Sequence, residues 1–222
     1  MKASQLVTDV RRDLASVDEA IRSHPYPDAL ATGSIPPEAI TTFVGHQYHI
    51  VTSDLRSIAM LVHRFGHTRA RDFFAGVLQG ELAGLQGILA MGRKLNLTEE
   101  DLATYEVAPE GFAYAAFMAW QAFYASAAEF VCGILVNFEA WGFNCGRMSR
   151  ALQEQYGFGS EDTVFLDAFA TMPPFEETAL EIIQEGLDQG VAPQRMRRAA
   201  RLFQGYEKMF WDTMAELSGV AT

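Results

Sequence analysis

Histidine, cysteine and basic residues are all scarce in this chain. It carries 5 histidines and 2 cysteines, with 17 Lys and Arg against 28 Asp and Glu. The formal net charge of −11 argues against nucleic acid and against an anionic membrane surface as partners. The two cysteines, Cys132 and Cys145, suit free thiols in a reducing, cytoplasmic compartment. The opening stretch, MKASQLVTDVRRDLASVDEA, is amphipathic and charged, without the apolar core of a signal peptide. There is no convincing alternating strand pattern, repeat, low-complexity tract or charge block. No phosphate-cradling glycine loop, nucleophile elbow or CxxC pair is present. No histidine follows His67. His46 and His49, three apart, and His63 and His67, four apart, have spacings that could ligate a metal from a helix. No acid or cysteine completes either pair, so surface or helix-end histidines and no metal are expected.

What the chain has in quantity is apolar surface arranged with helical period. Hydrophobic residues are 49% and charged residues 20% of the 222, enough for a sizeable core in one domain, 1–222. An amphipathic helix is predicted over 3–22, with Leu6, Val10, Leu14, Val17 and Ile21 on one face. His24-Pro25-Tyr26-Pro27 breaks it. Gly33, Ser34 and Pro36-Pro37 punctuate the start of a second helix, about 37–65. Its inner side carries Phe43 and Ile50, with Gln47 at the centre and Asp54 two turns on. A third helix covers about 69–95 and contains Glu81. Thr98 opens a short capped helix. Further helices are expected over about 160–171, from Pro173-Pro174 to near Gly190, and over about 192–217. The expected fold class is all-α.

The most apolar stretch, Gly111 to Asn144, contains no Lys, Arg or Asp. Read as one central helix, bending or ending near Gly142 and continuing to about Tyr156, it is apolar on nearly every side. Glu129, Asn137 and Glu139 interrupt it, which argues against a membrane span. Ser126, Glu129, Gly133 and Asn137 are spaced by three, four and four and share one helical face. A buried carboxylate is expensive unless paired or hydrogen-bonded. The stripe is therefore expected to face a ligand, or else a buried network that fixes helix packing. Cys132 lies in apolar surroundings, where a thiol is inert. On the last helix Glu207 sits between Phe203 and Phe210, a second acid on an apolar face.

The order of these pieces resembles the TenA / thiaminase II family of the heme-oxygenase-like superfamily. The resemblance runs over nearly the whole chain. It rests on His24-Pro25-Tyr26, the Gly33–Pro36 turn and TFVGHQYHIV. It continues through Glu81, Pro109, Phe112 and Tyr114 to Tyr206-Glu207 and Phe210-Trp211. It implies a heme-oxygenase-like helical bundle and a homo-oligomer. A thiaminase II cleaves a C–N bond at an aminopyrimidine carbon with a cysteine nucleophile on the central helix. Asn137 occupies that position here, Gln47 stands where the family has an aspartate, and the family's later tyrosine falls near Met172. The family's acid/base glutamate is retained as Glu207, and its stacking aromatic corresponds to Phe112. An amide cannot replace a thiolate as nucleophile. The superfamily's di-iron oxidases need histidines on a later helix. Glu81 and Glu129 match their acids, but PFEETALEII has no histidine.

The expected function is therefore a metal-free, cofactor-free enzyme acting on a small nitrogen-containing metabolite. Its chemistry is acid/base work at a C–N centre: hydrolysis, elimination or intramolecular cyclisation, in specialised-metabolite or thiamine-related biosynthesis. Glu207, Glu129 and Asn137 are the candidate catalytic residues. Gln47, Ser126, Glu81, Phe112, Tyr114, Trp141, Tyr206, Phe43 and Asp54 are the candidate substrate contacts, around a pocket between the second, third, central and last helices. The alternative is a non-catalytic ligand-binding or enzyme-stabilising subunit, in a hetero-complex with a related biosynthetic protein. A di-iron oxidase ranks below both.

Overall fold

The computed structural model describes residues 1–221. Eleven helices follow one another without a strand among the described residues: α1 (Ala3–Asp13), α2 (Ala15–Arg22), α3 (Pro25–Ala31), α4 (Pro37–Phe65), α5 (Arg71–Lys94), α6 (Glu99–Ala103), α7 (Pro109–Tyr124), α8 (Ala127–Gln155), α9 (Val164–Ala170), α10 (Glu176–Asp188) and α11 (Pro193–Leu217). Proline at the first helical position starts α3, α4, α7 and α11, where its missing N–H loses no hydrogen bond. Gly33 and Gly190 adopt φ of 66° and 88° in the turns after α3 and α10, a conformation that disfavours side chains.

Three of these elements depart from the sequence expectation. The predicted helix over 3–22 is broken at Leu14 into α1 and α2. His24 to Pro27 is not merely a breaker, because His24 caps α3 and Pro25 begins it. The central stretch is two helices. α7 ends at Tyr124, and Ser126 caps a new helix, α8, which runs through Gly142 without a stop. The glycine at 142 instead lets the carbonyl of Phe169 come close, since a Cβ there would lie 2.8 Å from that oxygen. Arg64 stabilises the joint by donating to the carbonyls of Ala122 and Ala125, which the ended helix leaves unpaired.

α8 is the axis of the bundle. It packs against α11, α9, α10 and α3, while α4 packs against α5 and α7. Two apolar clusters fill the interior. One contains Ile21, Tyr26, Phe43, Met148, Phe210 and Trp211. The other contains Leu6, Phe74, Phe130, Ile134, Ile183 and Phe203. Trp211 is fully buried among Tyr26, Phe43, Trp141 and Phe210, which fixes its indole in one orientation. α5 is a less covered element. By length and composition alone it is apolar enough to cross a membrane, 17% of its most apolar window is buried, and Glu81 lies within it.

Candidate active site

A cavity of about 50 Å³ lies between α4, α5, α7, α8, α9 and α11. That is room for a few water molecules or a small head group. Each wall follows from helical spacing. On α4, Gln47, Ile50, Val51 and Asp54 recur every three or four residues and point inward. α5 contributes Glu81, α7 Tyr114 and Met118, and α8 Asn137, Phe138 and Trp141. α9 adds Phe165 and Phe169, and α11 adds Glu207 and Phe210. Three acids thus face one cavity, with no Lys, Arg or His among its lining residues.

Glu207 is held from two sides. Trp211 Nε1, one turn on, donates to Oε1 at 3.0 Å, and Asn137 Nδ2 donates to Oε2 at 2.5 Å. The same amide nitrogen also donates to Gln204 Oε1 at 3.2 Å. Tyr114 donates to Asn137 Oδ1 at 2.9 Å, which sets which end of the amide faces the acid. Burial pushes the Glu207 carboxyl up to about 8, and the two N–H donors only partly oppose this. Burial also raises the Tyr114 phenol well above its ordinary value.

Asp54 and Glu81 are different, because the protein gives them no partner. Asp54 is 4% exposed, and its Oδ1 is buried without a hydrogen bond. Burial, and then the Glu81 charge, push its carboxyl well up. Glu81 is raised to about 7 by burial. A buried donor or acceptor left unpaired costs about 1–3 kcal/mol, and more if charged. Such a group is favourable only when something else completes it.

The polar stripe of the central stretch is not what the spacing suggested. Only Asn137 reaches the cavity. Ser126 is the N-cap of α8, accepting from Glu129 N at 3.3 Å, while Glu129 Oε2 accepts from Ser126 N at 2.9 Å. This is a capping box, and its S-x-x-E signature was readable in the sequence. Arg195 closes on Glu129 from α11 at 2.9 and 3.0 Å. The gap at Gly133 is filled by the ring of Phe203, which a Cβ would meet at 2.4 Å. Glu129 therefore caps and cross-links helices and does not charge the cavity. Glu129→Gln is expected to lower the melting temperature, by about 1–2 kcal/mol of stability, with ligand affinity unchanged. Calorimetry in both modes checks this, and an affinity change larger than the stability change would contradict it.

Three further candidates stand elsewhere. Phe112 is two residues from Tyr114, on the opposite side of α7, and packs on the first core cluster. Tyr206 is turned some 100° from Glu207. It packs on Phe117 at 5.2 Å between ring centroids. Phe43 shares the inner face of α4 but lies deeper, fully buried behind the cavity against Phe210 and Trp211. Gln47, Asp54, Glu81, Tyr114, Asn137, Trp141 and Glu207 are brought together. Sequence reasoning missed Phe165 and Phe169 of α9. Their spacing of four was a signal for an apolar face, but not for which helix it would meet.

Two of the histidines have structural settings. His46 is buried, not on the surface. It accepts from Ala108 N at 3.0 Å, so its other nitrogen carries the proton towards Thr42 O at 2.8 Å. Gly111 makes room for that ring. His24 is a buried helix cap, 3.1 Å from Asp212. Cys132 and Cys145 are buried and do not line the cavity, and burial raises the Cys132 thiol to about 12. Among the described residues no group of three or more His, Cys, Asp or Glu is arranged to hold a metal ion.

The eleven helices make an all-α bundle with a small acid-lined chamber between its long helices. The chain matches the TENA/THI-4/PQQC family over residues 12–217 and belongs to that family. Solved structures agree on the fold. A TenA homologue of Pseudomonas syringae pv. tomato superposes with a TM-score of 0.81 at 17% identity, covering 97% of this chain and 96% of that one. A TenA homologue of P. horikoshii gives 0.76 at 19%, covering 95% and 99%. A domain from Shewanella denitrificans described as having a heme oxygenase-like fold gives 0.72 at 12%, covering 95% and 90%. The comparison with curated proteins finds no match.

Proposed function

We propose that this chain is an acid–base enzyme of TenA-like fold, working without metal or cofactor on a small nitrogen-containing metabolite at a C–N centre. The observation that carries this reading is the pair Asp54 and Glu81. Two carboxyls face one cavity, Asp54 buried with an unpartnered oxygen and Glu81 half-buried at its edge, and no protein cation lines that cavity. The missing positive charge belongs to the ligand, an ammonium or amidinium group. As it enters, these acids give up protons and become its counter-ions.

Glu207 is then the general acid and base. In the empty site burial keeps it protonated at neutral pH, ready to protonate a leaving nitrogen. Once ionised, its carboxylate is held by Trp211 and Asn137 and can take a proton from water or an internal nucleophile. Asn137 positions Glu207, and Tyr114 positions Asn137. Gln47 and Trp141 orient and pack the substrate at the cavity wall. No thiol lines the cavity, so a covalent thiaminase-type step has no nucleophile there.

The same network supports a second reading. Both oxygens of Glu207 are engaged within the protein, as in a static scaffold, which fits a ligand-binding subunit without turnover. A screen of amines, amidines and neutral or anionic analogues by thermal shift, with product detection by mass spectrometry, tests both. The enzyme reading expects cationic hits, at least one of them consumed. Cationic hits that all persist unchanged would favour the carrier, and exclusively anionic hits would sink both.

We also propose a cytoplasmic homo-oligomer. Trp120, Phe123 and Tyr124 stand 44%, 56% and 67% exposed together at the end of α7. Exposed aromatic clusters of this kind mark contact surfaces. Sedimentation is expected to give a multiple of 24.6 kDa, reduced by Trp120→Lys with Phe123→Lys. A monomeric wild type would contradict it.

A further inference from the structure

A second and larger hollow adjoins the cavity. It is an open cleft of about 550 Å³, and Glu81, Phe138, Phe165 and Phe169 line both spaces. One wall is the face of α5 bearing Gly76, Gly80 and Gly84, spaced by four. The opposite wall includes Ile134, Met172, Pro173 and Phe175. The charged lining residues are Asp72 and Glu81, both acidic.

The glycines need an explanation. Each disfavours a helix relative to alanine. A close approach within the chain would justify them, as it does at Gly87, where a Cβ would meet the backbone of Phe165 at 2.9 Å. At Gly76 and Gly80 a Cβ would meet nothing within 4 Å. No packing in this chain uses the space they leave. It lies along the route from the surface to Glu81, and so to the unpartnered carboxyl of Asp54 behind it.

We propose that the ligand is a two-part molecule: a protonated amine seated between Asp54 and Glu81 in the inner cavity, and an apolar tail lying along the glycine face of α5 in the outer cleft. This rests on the amine reading of the site and extends it to the substrate class, an amphipathic amine. The division of volume supports it. The inner chamber is the smaller of the two and the outer cleft is larger and mostly apolar. An acid-headed or zwitterionic ligand is disfavoured, because no cation lines either space.

The test measures affinity of the full-length protein for n-butylamine, n-octylamine, octanol and octanoate by calorimetry, below micellar concentrations. Each methylene of the amine is expected to tighten binding by up to about fourfold. Octanol and octanoate should bind at least about tenfold more weakly than octylamine. Gly80→Leu projects into the outer cleft from a position where an added Cβ meets no atom within 4 Å, and its melting temperature checks that the fold is kept. It should abolish most of the gain from butyl to octyl, and its binding of butylamine reports that the inner chamber is still formed. Equal affinity for butylamine and octylamine would overturn the tail assignment while leaving the amine reading intact. Octanol or octanoate binding as well as octylamine would overturn the head-group assignment. Failure of every amine to bind would overturn both. A change in sedimentation mass in Gly80→Leu would make the cleft a subunit contact and also overturn the proposal.

Discussion

Glu207→Gln is expected to keep the fold and the ligand and to lose about 10²–10⁴-fold in turnover, the usual contribution of a general acid–base group. The substitution is nearly isosteric. Its amide oxygen can still accept from Trp211 or from Asn137, and its NH2 leaves the other of these donors without an acceptor, a modest cost in stability. What disappears is the exchangeable proton. A group brought up to about 8 by burial is mostly protonated at neutral pH yet can give up its proton close to it, and an amide has only one form. The structural alternative, Glu207 as a tie between α8 and α11, predicts the reverse pattern: a lower melting temperature with activity per folded molecule unchanged. Turnover and melting on the one variant separate them. An unstable but fully active Glu207→Gln protein would end the assignment. Asn137→Cys is the companion. It supplies the family's nucleophile type but removes an N–H donor from Glu207, and no thiaminase activity is expected, because Gln47 stands where the family has an aspartate.

Asp54→Asn should act in opposite directions on the empty and the occupied protein. Amine affinity is expected to fall by about 30-fold to a few thousand-fold, for the 2–5 kcal/mol lost when one partner of a buried charge pair goes. The empty protein should become more stable. Asp54 shares the cavity with Glu81, whose charge raises its carboxyl, and with the Glu207 carboxyl and the Tyr114 phenol, and no cation lines the cavity. Its folded-state proton affinity is raised, so the folded protein holds the proton to higher pH than the unfolded chain does. Stability from this group is then full below about pH 4 and is lost as pH rises through the folded value. Glu81 and Glu207, raised to about 7 and about 8, act in the same sense. Wild-type melting temperature should fall between pH 7 and pH 9, above the range in which the buried His24 and His46, whose proton affinities burial lowers, act in the opposite sense. Asp54→Asn should fall less, exceeding wild type at pH 9 and converging with it towards pH 4. Melting curves across that range decide. A variant less stable than wild type at pH 9 would show that Asp54 has a hydrogen-bonding role the empty cavity does not display.

The helices were legible where Pro and Gly punctuate them. α4 ran as predicted over Pro37–Phe65, and α11 differed only at its first residue. The break at Ala125 was hidden because residues on both sides are apolar and helix-compatible. The Ser126–Glu129 pair marked it, but the pair was equally consistent with a stripe on one continuous helix. That one misreading placed Ser126 and Glu129 in the site, where the structure does not put them. The acids at 54, 81 and 207 and the amide at 137 were visible as polar groups on apolar helical faces. Period tells which side of a helix is buried, not how deep a residue lies along it. Phe43 was therefore misplaced by one turn, and α9 was not seen to close the chamber.

The glycine-bearing face of α5 has a consequence for how the molecule breathes. Helices open locally in proportion to how little holds them, and α5 combines weak intrinsic propensity with little burial. Glu81 therefore rides on a segment with a low opening free energy, whereas Asn137 and Glu207 ride on α8 and α11, the best-anchored pair. The chamber has one compliant wall and one rigid wall. An occupant spanning both would tie the compliant one down, so that occupancy and the order of α5 become a single thermodynamic variable.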